Sequence, residues 1–229
     1  MEIHKPKAVH GWREFFNEIG IIVIGVLIAL GAEQLVETVH WHHAVTEQRR
    51  SLTDEIKANL DSVARRAHQQ PCVDRRLTDI HSVLERHAHG QPVGIIGEFA
   101  YPTRAGASRG SWDIALAGQA LSHMSQDDRL TFSATFGVLT TWQQMTDQER
   151  AIWARLSMLN DPALLSETDW SAVRTAYVEA VDMNNQRRDL AGFILQGIGH
   201  ETSDYKPSLE ASNPTYAALD RQICSAYIR

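Results

Sequence analysis

The chain has few of the residues that build redox, metal and nucleotide sites. Cys72 and Cys224 are its only cysteines in 229 residues, which leaves room for one disulfide and no dense cross-linked scaffold. No HExxH occurs, and no glycine-rich turn leads into the lysine of a nucleotide-hydrolysing loop. No Ser-His-Asp, Cys-His or paired-carboxylate arrangement stands out from the scattered serines and the acids on surface periodicity. Internal repeats and low-complexity tracts are also missing. Positive charge is short, with 22 Lys and Arg against 28 Asp and Glu and a net charge of −6. That balance gives no basic footprint for nucleic acid. The last absence is local: Ile19–Ala32, IGIIVIGVLIALGA, carries no charge in an otherwise polar chain.

Fourteen residues rise only about 21 Å as a helix, short of a hydrocarbon core of roughly 30 Å. The flanks supply the rest. Phe15 and Phe16 precede the run, Leu35, Val36 and Val39 follow it, and Trp12 and Trp41 stand where interfacial aromatics belong. Residues 15–39 would rise about 37 Å, enough to span with tilt. Glu18 and Glu33 then lie near the two ends, within reach of headgroups and water.

A spanning anchor is the leading expectation, and two others compete with it. Ala29-Leu30-Gly31 is an acceptable small-x-small cleavage site for a signal peptide, although Glu14, Asn17 and Glu18 interrupt the junction such peptides require. A buried soluble helix is disfavoured, because Ile21–Ile24 leaves no polar face. Lys5, Lys7 and Arg13 precede the span, so the positive-inside rule places residues 1–14 in the cytoplasm and residues 40–229 in the periplasm of a bacterial inner membrane. An exported body favours a Cys72–Cys224 disulfide over two buried thiols.

On a helical wheel Glu18, Gly25, Ala29, Ala32 and Val36 cluster, with Glu33 adjacent. Small residues let backbones approach, so this face is expected to meet another helix, either of a second copy or of another membrane protein. The bilayer and such a protein are the expected partners, and no cofactor is implied.

Beyond the span, residues 37–68 contain neither Gly nor Pro, and Val45, Leu52, Ile56, Leu60 and Val63 form a stripe. One rod of some fifty residues is expected, ending at Pro71. Val73, Leu77, Ile80 and Leu84 define a second helix stopped by Gly90. Residues 91–110 form an irregular surface loop, pinned by Ile95, Ile96, Phe99 and Tyr101 and with room for a short strand. Ser111 is the expected N-cap of a helix through Met124. Ser125-Gln126-Asp127-Asp128 resembles a capping box opening a long helix to Asn160. Ser166 opens a fifth helix, ended by Gly197 and Gly199, and Pro214 begins a short last helix carrying Cys224. The fold class is all-α: a long N-terminal transmembrane helix continuing into a periplasmic helical bundle.

Two segments carry a resemblance. Residues 18–30, EIGIIVIGVLIAL, resemble the anchor of a group of bacterial single-span proteins of unknown function, in which a similar run precedes a long charged helix. Residues 111–121, SWDIALAGQAL, are similar to that group's second common segment. The likeness covers roughly residues 14–140. It departs at Gly31-Ala32-Glu33-Gln34, where the others have a Gln-Ile-Asn-Asn-Trp-like exit. The resemblance implies an anchored helical protein and brings no activity.

Four clusters merit a chemical reading. His40, His43 and Glu47 share one helix face at spacings that could hold a transition metal, or simply form a polar collar beyond Trp41. His87 and His89 suit the negative end of the second helix. Arg104 and Arg109, with the glycine turn before Ser111, could hold an anion or pair with acidic neighbours. Trp142 and Trp153 lie eleven residues apart, as core positions do, and could also line a cavity for an apolar ligand. Arg65-Arg66, Arg75-Arg76 and Arg187-Arg188 are read as solvated faces. The sequence thus favours a non-enzymatic structural or interaction protein, self-associating or an accessory subunit of a membrane complex. A ligand-sensing bundle is second; no second apolar run follows, so its signal would need a partner. A metal-dependent enzyme using the histidine collar is third.

Overall fold

The computed structural model describes residues 11–201, 205–209 and 214–229. Lys5 and Lys7, on which the orientation partly rests, fall outside them, as does much of the polar loop before Pro214. The fold is all-α, with one isolated antiparallel bridge, Ile95 to Ile228, in place of any strand among the described residues.

Helix α1 runs unbroken for 57 residues, Trp12–His68, about 85 Å. The expected rod therefore forms. It stops at Gln69, and α2 (Gln70–Ala88) restarts at once with Pro71 in its first turn, where a missing amide costs nothing. Gly90 turns the chain out of α2 with a φ of 66°, a value costly for other residues. After the irregular segment come α3 (Gly110–Ala117), a 3-10 turn at Ala120–His123, and α4 (Gln126–Leu156). Two further 3-10 turns lead to α5 (Glu167–Glu201), and α6 (Pro214–Cys224) precedes the C-terminal segment.

Caps explain two of these starts. Ser125 Oγ accepts from the Asp128 amide at 3.1 Å, and Ser166 Oγ accepts from that of Asp169 at 3.2 Å. The Asp169 carboxylate accepts in return from the Ser166 amide at 2.9 Å, completing a capping box. The Ser166 hydroxyl, donating to that carboxylate at 2.6 Å, and then the Ser166 amide hold the Asp169 carboxyl below its usual range.

Three expectations need correction. Helix α3 starts at Gly110, so Ser111 is not its cap, and it ends at Ala117 rather than Met124. Gly197 and Gly199 do not end α5, which continues through Glu201 with Ile198 buried. Segment 91–110 does not merely lie on the surface, since Phe99, Thr103 and Ala105 are buried and the Ala105 carbonyl enters the core.

Arg49 pairs with Asp128 and Arg66 with Glu149, so α1 and α4 run in the same direction. Helix α5 runs against them: Asn184 meets Arg66, while Ile194 and Ile198 lie with Leu52 and Ile56. Two apolar clusters result. One joins Leu52, Leu60 and Val63 of α1 to Trp112, Phe136, Trp142 and Ile194. The other joins Val73, Ile80 and Val83 of α2 to Trp153, Leu156, Trp170, Val173 and Tyr227. Leu52 and Leu60 are fully buried, each worth about 1.5–3 kcal/mol relative to exposure.

Cys72 and Cys224 form a disulfide between α2 and the end of α6. Arg76 supports the same junction. Its guanidinium, 1% exposed, lies 4.6 Å from the Tyr227 ring centre and donates to the carbonyls of Gln222, Ser225 and Glu98 at 3.1–3.3 Å. A cation thus meets the negative end of α6. Burial nevertheless lowers the Arg76 pKa, with Asp79 opposing the shift. Gly97 passes close by: a Cβ there would stand 2.5 Å from the Ala226 carbonyl oxygen.

Candidate functional site

Three features stand out from the packed body: a bare apolar half-helix, a buried charge layer and a cleft beside that layer.

The first half of α1 stands clear of the packed body. The apolar side chains from Trp12 to Val39 are exposed, and the most apolar 18-residue window of the helix has no buried residue. By length and composition it can cross a membrane. Glu18, Gly25, Ala29, Ala32 and Glu33 all lie exposed on this half, with nothing within 4 Å of a Cβ built on Gly25. The body begins one turn later, where Trp41 stacks on His123 with ring centres 3.8 Å apart.

The charge layer sits between the two apolar clusters, at the end of α1. Glu149 of α4, Arg66 of α1 and Arg187 of α5 are all buried, the two arginines to 1% exposure. Arg66 Nη2 lies 2.7 Å from Glu149 Oε1, and Arg187 Nε lies 3.5 Å from Oε2. Arg187 also donates to Thr146 Oγ1 at 2.7 Å and lies 3.9 Å from the Trp142 ring centre. Burial lowers its pKa to about 10, with Glu149 opposing and Arg66 reinforcing the shift. It stays charged at neutral pH. From Arg66 a chain of bonds leads outward, through Asn184 at 3.0 Å to Asp74 at 2.7 Å and then to exposed Arg188 at 2.8 Å. The expectation that all three arginine pairs are solvated is therefore wrong for one member of each: Arg66, Arg76 and Arg187 are core residues. A signal was present. Arg66 and Arg76 each follow a buried valine, Val63 and Val73, by three residues on the apolar stripe.

Beside this layer, residues 101–104 stand off α4 and enclose a cleft of about 310 Å³. Tyr101, Pro102, Arg104 and Arg150 line it from the exposed side, and the buried Thr146, Glu149 and Trp153 line its floor. The loop is fastened on both sides. The Phe99 amide donates to Asn160 at 3.2 Å and the Thr103 amide to Gln69 at 3.0 Å. The Ala105 carbonyl accepts from Trp142 Nε1 at 2.7 Å, Thr146 Oγ1 at 3.2 Å and Arg187 Nη2 at 3.3 Å. Trp153 thus lines a cavity as the sequence allowed, whereas Trp142 is committed to the loop and to Arg187.

The remaining candidates disperse. Arg109 pairs with Asp113 at 2.8 Å, and Arg104 lies 3.7 Å from Asp147. At the start of α3 the protein supplies its own anion: Glu55 accepts from the Ser111 amide at 2.9 Å and from Ser108 Oγ at 2.8 Å. His40 packs edge-on to Trp41 and His43 against His42. Neither they nor Glu47 belong to a metal cluster: among the described residues, no group of three or more His, Cys, Asp or Glu could hold a metal ion. His87 stacks on Trp170 with centres 3.8 Å apart, and His89 Nδ1 lies 2.8 Å from the Glu85 carbonyl oxygen at the end of α2.

A scan against protein-family models and searches of curated proteins and of solved structures each found no match to this chain.

Proposed function

We propose that this chain is a membrane-anchored interaction protein, a non-enzymatic accessory subunit or self-associating component of a bacterial inner membrane. The bare half of α1 is its anchor, and the helical body is held in the periplasm. One observation carries the reading: some 25 apolar-rich residues project from a well-packed body without covering any of it. In water such a surface would drive association; in lipid it is at home. A Cys72–Cys224 disulfide suits an oxidising compartment and supports the periplasmic side. The small-residue face through Gly25 and Ala29 is the lateral contact.

The test is to express the full chain with its own N-terminus, extract membranes with alkaline carbonate, and weigh the retained protein intact. Retention with residues 1–31 present supports the anchor. A soluble product beginning near Ala32 would mean that a signal sequence had been removed, and the proposal would be lost. A ligand-sensing body is the second reading, favoured by the cleft beside Trp153.

A further inference from the structure

We propose that the cleft between Tyr101-Pro102 and Trp153 binds a small aromatic carboxylate. The inference gives the second reading its ligand class and is independent of the anchor.

Three properties of the cleft lead there. Its volume, about 310 Å³, lies at the lower end of the roughly 300–1,000 Å³ typical of small-molecule sites. Nucleotides and long-chain lipids are poorly matched to it. Its walls are mainly apolar: the 40%-exposed ring of Tyr101 and the pyrrolidine of Pro102 supply the open surface, and Trp153, 1% exposed, closes the cleft behind them. A flat ring is the body that such walls stack best. They are also preformed, because bonds from Phe99, Thr103 and Ala105 fix the loop on either side of Tyr101. Little ordering is then left for binding to impose.

Charge selects the other end of the ligand. The Glu149 carboxylate at the floor is answered by two guanidinium groups, Arg66 and Arg187, so the buried layer carries a net positive charge. Thr146 is likewise occupied, accepting from Arg187 and donating within the protein. The floor thus offers a field, with little open surface and few new hydrogen bonds. The rim is different. Arg104 is exposed and lies 3.7 Å from Asp147, too far for a hydrogen bond, and Arg150 is exposed on the next turn of α4. Four arginines against Glu149 and Asp147 leave this region positive. A cationic ligand would be repelled, and a neutral one would gain nothing from the rim. A carboxylate reaching Arg104 and Arg150 would gain charge-assisted bonds.

Calorimetric titration of the full chain in detergent with 3-phenylpropionate tests this, with 3-phenylpropanamide as the neutral isostere and the detergent alone as blank. Saturable binding of the acid is expected, weaker by roughly tenfold or more for the amide and for Arg150→Gln, as for loss of a charged hydrogen bond. Arg104→Gln should act in the same direction. Both side chains are exposed, and unchanged thermal unfolding would show that neither substitution disturbs the body. No saturable binding up to about 10 mM acid, weaker than any useful site, would overturn the proposal. So would equal binding of acid and amide, or undiminished binding by the Arg104→Gln/Arg150→Gln double variant.

Discussion

Replacing Glu149 by Gln would leave Arg66 and Arg187 buried side by side without the charge they share. Stripping one partner from a buried ion network costs about 3–5 kcal/mol, so Glu149→Gln should lower the urea midpoint by that equivalent. A loss below about 1 kcal/mol, typical of a surface pair, would mean that the layer is not held by charge. Tyr227 makes a second prediction. Burial pushes its phenol up to about 12, with Arg76 opposing and Asp79 reinforcing the shift. Between about pH 10 and 12 the folded tyrosine keeps a proton that the unfolded chain releases, so its contribution falls as pH rises. Tyr205, raised to about 12 by burial first and its bond to Asp61 second, acts in the same direction. Arg187 acts oppositely, because its folded value of about 10 lies below its unfolded one. Tyr227→Phe should therefore lose about 1 kcal/mol at neutral pH with the bond to the Leu159 carbonyl. It should also flatten the alkaline decline in urea midpoints followed from pH 8 to 12. At this scale the sequence was least legible. Arg65 and Arg66 are the same letter, and only the continued apolar stripe says which one turns inward.

The rod and the helix starts at Ser125 and Ser166 were legible at the scale of elements, because each is a local rule written in adjacent residues; Pro71, read as the end of the rod, stands instead in the first turn of α2. Gly197 and Gly199 misled for an energetic reason. A glycine inside a helix costs only about 1 kcal/mol, which burial of Ile198 and Ile194 outweighs. Segment 91–110 depends on a glycine in another way. A methyl group at Gly97 would press on the Ala226 carbonyl, so Gly97→Ala should shift the C-terminal segment and cost about 1–3 kcal/mol as overpacking. Thermal unfolding measures this, and an unchanged midpoint would mean that the segment yields freely. On the outer half of α1, Gly25→Leu fills the small-residue face where none of the described residues opposes it. Membrane retention should persist, while self-association or co-purification of a partner weakens. Undiminished association would remove this face from the proposal.

The all-α architecture was legible in outline for the whole molecule, from one uncharged run, helical periodicities and an even pair of cysteines. The two-cluster core with its ionic layer was not, because pairing Arg66 with a residue 83 positions away is a tertiary fact. The disulfide spans 152 positions. In the chain-entropy view, closing so long a loop stabilises the fold by about 5 kcal/mol. Cys72→Ser with Cys224→Ser should lower stability by up to that amount. The C-terminal segment around Tyr227 should also become the first to exchange its amide hydrogens with solvent. Equal stability of the two forms would show that Arg76 and Tyr227 hold the junction alone.

The absence of any break along α1 has a mechanical consequence. Successive residues of a helix turn by about 100°, and a hydrogen-bonded shaft resists torsion. A twist applied by a neighbour near Gly25 would travel without a hinge to Leu52, Ile56 and Arg66, which share the same uninterrupted backbone. The first joint it meets is Gln69, beside the salt-bridged layer and the ring-lined cleft. A push among the greasy side chains outside the body is thus geared directly to its most electrically loaded point.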